Sequence, residues 1–187
     1  GSGVVLLAEQ HEPVRRRVAI KLVPHAAVSP EFAARFDFER RALERTEHPN
    51  IARVLDAGRT SDGLPYLVLE YVEGTTITEY CKQHGLGLRA RIGLLLDVAD
   101  AVQHAHQRGV IHRDLKPGNI LVAEVSGRAT PRVLDFGIAK PVADVFDGDS
   151  PATSGVPLGT PAYMAPEQTG GQGVDTRADV YALGAVL

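Results

Sequence analysis

Two strand-like runs open the chain. GVVLLAE (3–9) and RRRVAIKLV (15–23) are β-branched and apolar, and the turn-forming QHEP (10–13) separates them. Ser29-Pro30 offers a helix N-cap with proline at the first helical position, which predicts a helix running to about Glu47 and stopping before Pro49. ARVLDAG (52–58) and PYLVLEYV (65–72) read as two more strands joined by the turn-rich RTSDGL (59–64). After Gly74 the period changes. Between Arg89 and Gln107, Ile92, Leu95, Leu96, Ala99, Val102 and His106 recur at helical spacing, and Gly109 is placed to close that helix. NILVAEV (119–125) and PRVLDFG (131–137) predict a short hairpin around SGRAT (126–130). Residues 141–158 have no period and are rich in Pro, Gly, Ser and Asp, which predicts a long loop of the kind that is usually functional or disordered. The pattern predicts an α+β chain in two lobes, a sheet lobe with one helix over 1–72 and a mainly helical lobe over 73–187. The crevice between them is a natural ligand site.

Two charges interrupt apolar surfaces. Phe32, Phe36 and Leu43 form a stripe on the first helix, and Glu39 lies within it. VAIKLV is apolar on both strand faces except at Lys21. Each side chain could snorkel to water from the edge of its face. Buried charges are otherwise paired, so the pattern places Lys21 and Glu39 opposite each other, an ammonium held steady beside a cleft. GVIHRDLKPGN (109–119) concentrates His112, Arg113, Asp114 and Lys116 in one turn between apolar runs. Taken alone, Asp114 reads as an ordinary turn former and His112 as a packed side chain. Asn119 and Asp135, brought together by the hairpin, are hard oxygen ligands of the kind that suit Mg²⁺, which would leave Asp114 to act on a hydroxyl nucleophile.

Composition narrows the partners. Hydrophobic residues make up 44% of 187 positions, enough for a packed core, and the net charge of −3 is spread along the chain. That balance argues against nucleic acid as a partner, since Arg15-Arg16-Arg17 is the only basic run. Cys81 is the one cysteine, which excludes an intrachain disulfide and a cysteine-based metal site. No stretch reaches the ~18 apolar residues of a membrane span. The expected location is cytoplasmic, with any membrane anchor of the parent protein outside this segment. The chain opens on Gly1-Ser2-Gly3 without methionine and stops within DVYALGAVL, so truncation at both ends is expected.

VAIK (18–21), Glu39 in the following helix, HRDLKPGN (112–119), DFG (135–137) and APE (165–167) resemble the protein kinase signature set, in order and on the expected elements. The resemblance covers essentially the whole chain. HRDLKP and GTPAYMAPE (159–167) are similar to the serine/threonine-specific form rather than to the HRDLAARN or HRDLRAAN of tyrosine kinases, and the wording as a whole resembles the eukaryote-like, Hanks-type kinases of bacteria.

The resemblance implies a bilobal kinase fold, ATP and Mg²⁺ as cofactors with Mn²⁺ able to substitute, and a protein Ser/Thr hydroxyl as acceptor, the protein itself included. It implies that Gly3 ends a Gly-rich loop whose first two glycines are missing, and that Val5 and Ala19 cover the adenine with Leu121 beneath. Leu69 would be the gatekeeper, and Glu70 and Val72 would bond the adenine edge through their backbones. Lys21, held by Glu39, would grip phosphates; Asn119 and Asp135 would hold the metal; Asp114 would be the base and Lys116 would stabilise the transferred group. It also implies a buried column of Leu43, Leu55, His112 and Phe136 anchored by Asp179. The activation segment would span 135–167. Phosphate on Ser150, Thr153 or Ser154, with Thr153 or Ser154 favoured, would pair with Arg113, and Thr160 would contact Asp114 and Lys116. Rival readings are a nucleotide-binding pseudokinase scaffold, a fragment inactive in isolation, and a small-molecule phosphotransferase. Lys21, Asp114 and Asp135 are all present, against the first, and HRDLKP and APE stand against the last.

Overall fold

A computed structural model describes residues 4–23, 40–41, 43, 46–136, 161–168 and 174–187. The predicted strands of the first lobe form as β1 (Val5–Gln10), β2 (Arg16–Leu22), β3 (Val54–Arg59) and β4 (Pro65–Glu70). They make one antiparallel sheet in the order β1-β2-β4-β3. The register pairs Val5 with Lys21, Lys21 with Leu67 and Ala19 with Leu69. Residues opposite each other share a face, so Val5, Ala19, Lys21 and Leu69 line one side of the sheet. Arg40, Arg41 and Leu43 are helical, while Thr46, Glu47 and His48 are not, so the helix ends sooner than the expected Glu47. Ser29-Pro30, the expected start, lies outside the described residues.

The second lobe begins with β5 (Thr75–Thr76), which runs straight into α1 (Ile77–Gln83). Thr76 and Glu79 close a reciprocal capping box there: the Thr76 Oγ1 accepts the Glu79 N–H at 3.3 Å, and the Glu79 carboxylate accepts the Thr76 N–H at 3.3 Å. Such a cap stabilises a helix start by about 1 kcal/mol. Helix α2 follows over Leu88–His106, then β6 (Ile120–Val125), β7 (Arg128–Val133) and α3 (Arg177–Val186).

The hairpin is tighter than SGRAT implies. Ser126 and Gly127 alone form the turn, at φ 52° and 75°, and β7 extends back to Arg128. A two-residue turn with both φ positive matches the twist of its strands, which is why pairing starts at once.

The buried face of α2 overlaps the expected one only in part: Val102 is buried and Leu95 packs against the core, as expected. Leu94, Val98, Ala101, Val102 and Ala105 enter the core, whereas Leu96 is 64% exposed and Ile92 is 39% exposed. Both stripes satisfy helical spacing, and packing against β7 and α3 chooses between them.

The core joins both lobes. Val23, Leu43, Ile51 and Leu67 from the first half pack in one cluster with Leu115, Ile120, Val133 and Phe136 from the second. The segment 50–52 is stitched onto β7. Val133 N–H donates to the Asn50 carbonyl (2.7 Å), Ala52 N–H to the Val133 carbonyl (2.9 Å), and Asn50 Nδ2 to the Pro131 carbonyl (2.8 Å). The Asn50 Nδ2 is a donor, and the Pro131 carbonyl satisfies it where both are buried.

Candidate active site

The loop between α2 and β6 is shaped by its backbone bonds to α3. The Asp179 carboxylate is almost fully buried, at 1% exposure, and accepts three N–H groups: His112 N–H at 2.8 Å, Arg113 N–H at 2.8 Å and His106 Nε2 at 2.7 Å. Burial alone would raise this carboxyl. The hydrogen bond from His106 and those from the two backbone N–H groups outweigh it and hold Asp179 below the usual carboxylate range. Asp179 is thus the anchor that the sequence resemblance implies. His106 is the residue that sequence reasoning left on an apolar stripe. The signal available was a titratable ring at the inner end of a buried helix face, six residues before His112.

His112 is fully buried, as its apolar neighbours suggest. Its two ring nitrogens have distinct tasks. Nε2 lies 2.8 Å from the Leu134 carbonyl and must donate; Nδ1 lies 3.2 Å from the Asp114 N–H and must accept. The neutral ring satisfies both. Burial lowers the His112 pKa below 6.5, with Asp179, Asp114 and Asp135 opposing only in part. Since the unfolded chain would take up this proton first, stability is fully present above about pH 6.5 and is lost as pH falls below it. His104, lowered chiefly by burial and then by Arg108, acts in the same direction. Thermal melting followed between pH 7.5 and 5.0 will show a falling midpoint on the acid side, and His112→Phe will flatten the slope. A midpoint independent of pH in that window contradicts the assignment.

Asp114 emerges from this framework among its charged partners. Lys116 Nζ is 3.1 Å from Asp114 Oδ2, and Asn119 Nδ2 donates to the Asp114 carbonyl at 2.8 Å and to its Oδ2 at 3.3 Å. Asn119 opens no helix of its own. It ends the short turn Pro117–Asn119, and its carbonyl accepts the Leu134 N–H at 2.8 Å, which sets it beside Asp135. Asp135 has φ 57° and ion-pairs with Lys21 at 3.1 Å. Lys21, expected to meet Glu39, therefore meets Asp135 among the described residues; Glu39 lies outside them. Gly3, Ser150, Thr153, Ser154 and Thr160 lie outside them as well.

The donor set fits a magnesium ion. The Asn119 amide nitrogen is committed to Asp114, no donor among the described residues reaches its Oδ1, and Asp135 adds a carboxylate. No group of three or more His, Cys, Asp or Glu side chains suited to a metal occurs among the described residues. A carboxylate and an amide oxygen suffice for Mg²⁺, which takes few protein ligands and fills its remaining positions with water and phosphate oxygens.

One sheet face carries Val5, Ala19 and Leu69, with Val5 54% exposed. Leu69 lines a cavity together with Lys21, Leu43, Val54, Leu67, Asp135 and Phe136. Val54 takes the position in the column expected for Leu55. The β3–β4 register breaks between Val54 and Asp56, which drops Leu55 out of the ladder and turns Val54 toward Leu43 and Phe136. Leu121 is half-buried on β6, and Val72 follows β4. The Glu70 N–H is donated to the Arg53 carbonyl at 2.9 Å, so any backbone bond from Glu70 to a ligand would be made by its carbonyl. The Glu70 side chain pairs with Arg132 on β7 and accepts the Arg53 N–H at 3.2 Å.

Comparison with known proteins places this geometry. The protein kinase domain model matches residues 1–187. The serine/threonine-protein kinase Pkn1 of Myxococcus xanthus is 43% identical over 189 residues, covering all of this chain and 26% of that protein. Serine/threonine-protein kinase PknB of Mycolicibacterium smegmatis is 39% identical, over 93% of this chain and 28% of that protein. The crystal structure of the PknI kinase domain of Mycobacterium tuberculosis superposes with a TM-score of 0.74 at 32% identity, over 99% of this chain and 65% of that one. The chain spans about a quarter of the length of these curated relatives. With the matched motifs meeting around one loop, this chain belongs to the protein kinase family, in its serine/threonine-specific, bacterial Hanks-type branch.

Proposed function

We propose that the full-length protein transfers the γ-phosphoryl group of ATP to serine or threonine hydroxyls of proteins. The observation that carries the reading is the convergence of Asp114, Lys116 and Asn119 in one hydrogen-bonded group, next to a second pair of Lys21 and Asp135. Asp114 accepts the hydroxyl proton and aims the oxygen. Lys116 pairs with that carboxylate and meets the charge that develops on the group in flight. Lys21 reaches phosphate from the sheet lobe, with Val5, Ala19, Leu69 and Leu121 enclosing the base. Asn119 and Asp135 would hold Mg²⁺, whose charge neutralises phosphate oxygens. The transition state is loose, so placement and charge supply most of the rate.

Labelled ATP, Mg²⁺ and a generic protein substrate test the reading. Phosphoserine or phosphothreonine should form with the wild-type protein and vanish with Asp114→Asn. Nucleotide binding without transfer would make the protein a scaffold. Regulation by its own product is part of the proposal, since Arg113 precedes Asp114 and Ser150, Thr153 and Ser154 follow in the same chain. Mass spectrometry of protein incubated with ATP is expected to find phosphate on Thr153 or Ser154. An unmodified stretch from 138 to 160 overturns that part.

A further inference from the structure

We infer that Gln168 is a positioning residue for Asp114, acting through the backbone of Arg113; this rests on the kinase reading of the site. Arg113 is in the left-handed region at φ 63°, a conformation that non-glycine residues hold only where their surroundings impose it. Asp179 fixes one side by accepting the Arg113 N–H. The other side is the peptide linking Arg113 to Asp114. Its carbonyl accepts Gln168 Nε2 at 2.9 Å, and its N–H donates to His112 Nδ1 at 3.2 Å. A peptide unit is planar and carries its carbonyl and N–H in opposite directions. Holding both ends fixes the tilt of the plane from which the Asp114 side chain departs. Gln168 is one of the two clamps.

Gln168 is itself held in one orientation. Its Oε1 accepts the Ala165 N–H at 3.0 Å, and its own N–H donates to the Ala165 carbonyl at 3.0 Å, which closes the turn Pro166–Gln168 around an Ala165 with no exposed surface. With Oε1 so committed, the amide nitrogen must face Arg113; the flipped amide would set N–H against N–H and oxygen against oxygen. The position therefore calls for a carboxamide. A carboxylate could keep the Ala165 bond but would confront the Arg113 carbonyl. Through this one side chain, the end of the APE segment reaches the loop that carries the base.

The full-length protein with Gln168→Glu or Gln168→Met tests the inference. Glu keeps the turn-closing bond and loses the clamp; Met keeps the volume and loses both. Both variants are expected to lower kcat for protein phosphorylation by about tenfold, or about 1.4 kcal/mol of transition-state stabilisation. KM for ATP should change by less than about twofold, because Lys21 and the sheet face bind the nucleotide independently of this clamp. Gln168→Glu should melt closer to wild type than Gln168→Met, because it keeps the turn-closing bond. If it retains the wild-type kcat, Gln168 serves its own turn only and the inference fails. It fails also if kcat falls only in Gln168→Met, in step with lost stability. Wild-type protein that transfers no phosphate overturns the kinase reading itself, a result distinct from either.

Discussion

Full-length protein carrying Asp135→Asn will transfer phosphate on the order of 10³-fold more slowly than wild type. The substitution changes charge and little else. Asp135 is left-handed at φ 57°, a conformation asparagine tolerates as well as aspartate. The backbone is therefore expected to stay in place, and the loss reports chemistry. Two effects add. Lys21, with its side chain 11% exposed, is left without its carboxylate partner among the described residues, and an unpaired buried ammonium is costly. On the proposed reading, the metal position would also exchange an anionic ligand for a neutral one, which would weaken its hold on a hard dication. Initial rates measured across a range of Mg²⁺ concentrations check this. The rate should stay low even at saturating Mg²⁺. A variant within about tenfold of wild type would remove Asp135 from the metal role.

Asp114→Asn will cost on the order of 10²–10³-fold, no more than Asp135→Asn. The asparagine oxygen can still accept from Lys116, 3.1 Å away, so the loop should keep its form. What disappears is a group able to take the hydroxyl proton. In a loose transition state that proton leaves late, so the base contributes less than the assembly of charge around the phosphates. Nucleotide affinity should be unchanged, and the loss should fall on kcat. Weakened nucleotide binding of the same size as the loss in rate would mean that Asp114 holds the loop together rather than handling the proton.

The parts of the fold that the sequence disclosed are those where one force decides. β1 to β4 are short β-branched runs between turn residues, and no competing period obscures them. Lys21 is conspicuous as a charge against an apolar background, whereas Asp114 sits in a charged turn and is marked out by the motif around it. Elsewhere two arrangements satisfied the same local rule. α2 is apolar around most of its girth, so spacing could not tell the Leu94–Val98–Ala101 face from the Ile92–Leu96 face, and only tertiary packing did. Val54 and Leu55 are both aliphatic, and the bulge that separates their roles leaves no mark on composition. Asn50 and Gln168 act through backbone groups of distant residues, and His106 acts through the distant Asp179 carboxylate. Bonds of that kind depend on where the chain returns, a property that no window of sequence contains.

The stitching of residues 50–52 to β7 has a mechanical consequence. Among the described residues, the chain passes from the large lobe to the sheet at 52–53 and returns at 70–72. Arg53 and Glu70 bond these two passages to each other side by side. One strand of chain between two bodies would act as a ball joint, free to swing in any direction. Cross-linked in this way, the two passages resist twisting of β3 and β4 against β7 more than a single passage would, which helps to keep Lys21 in line with Asp135.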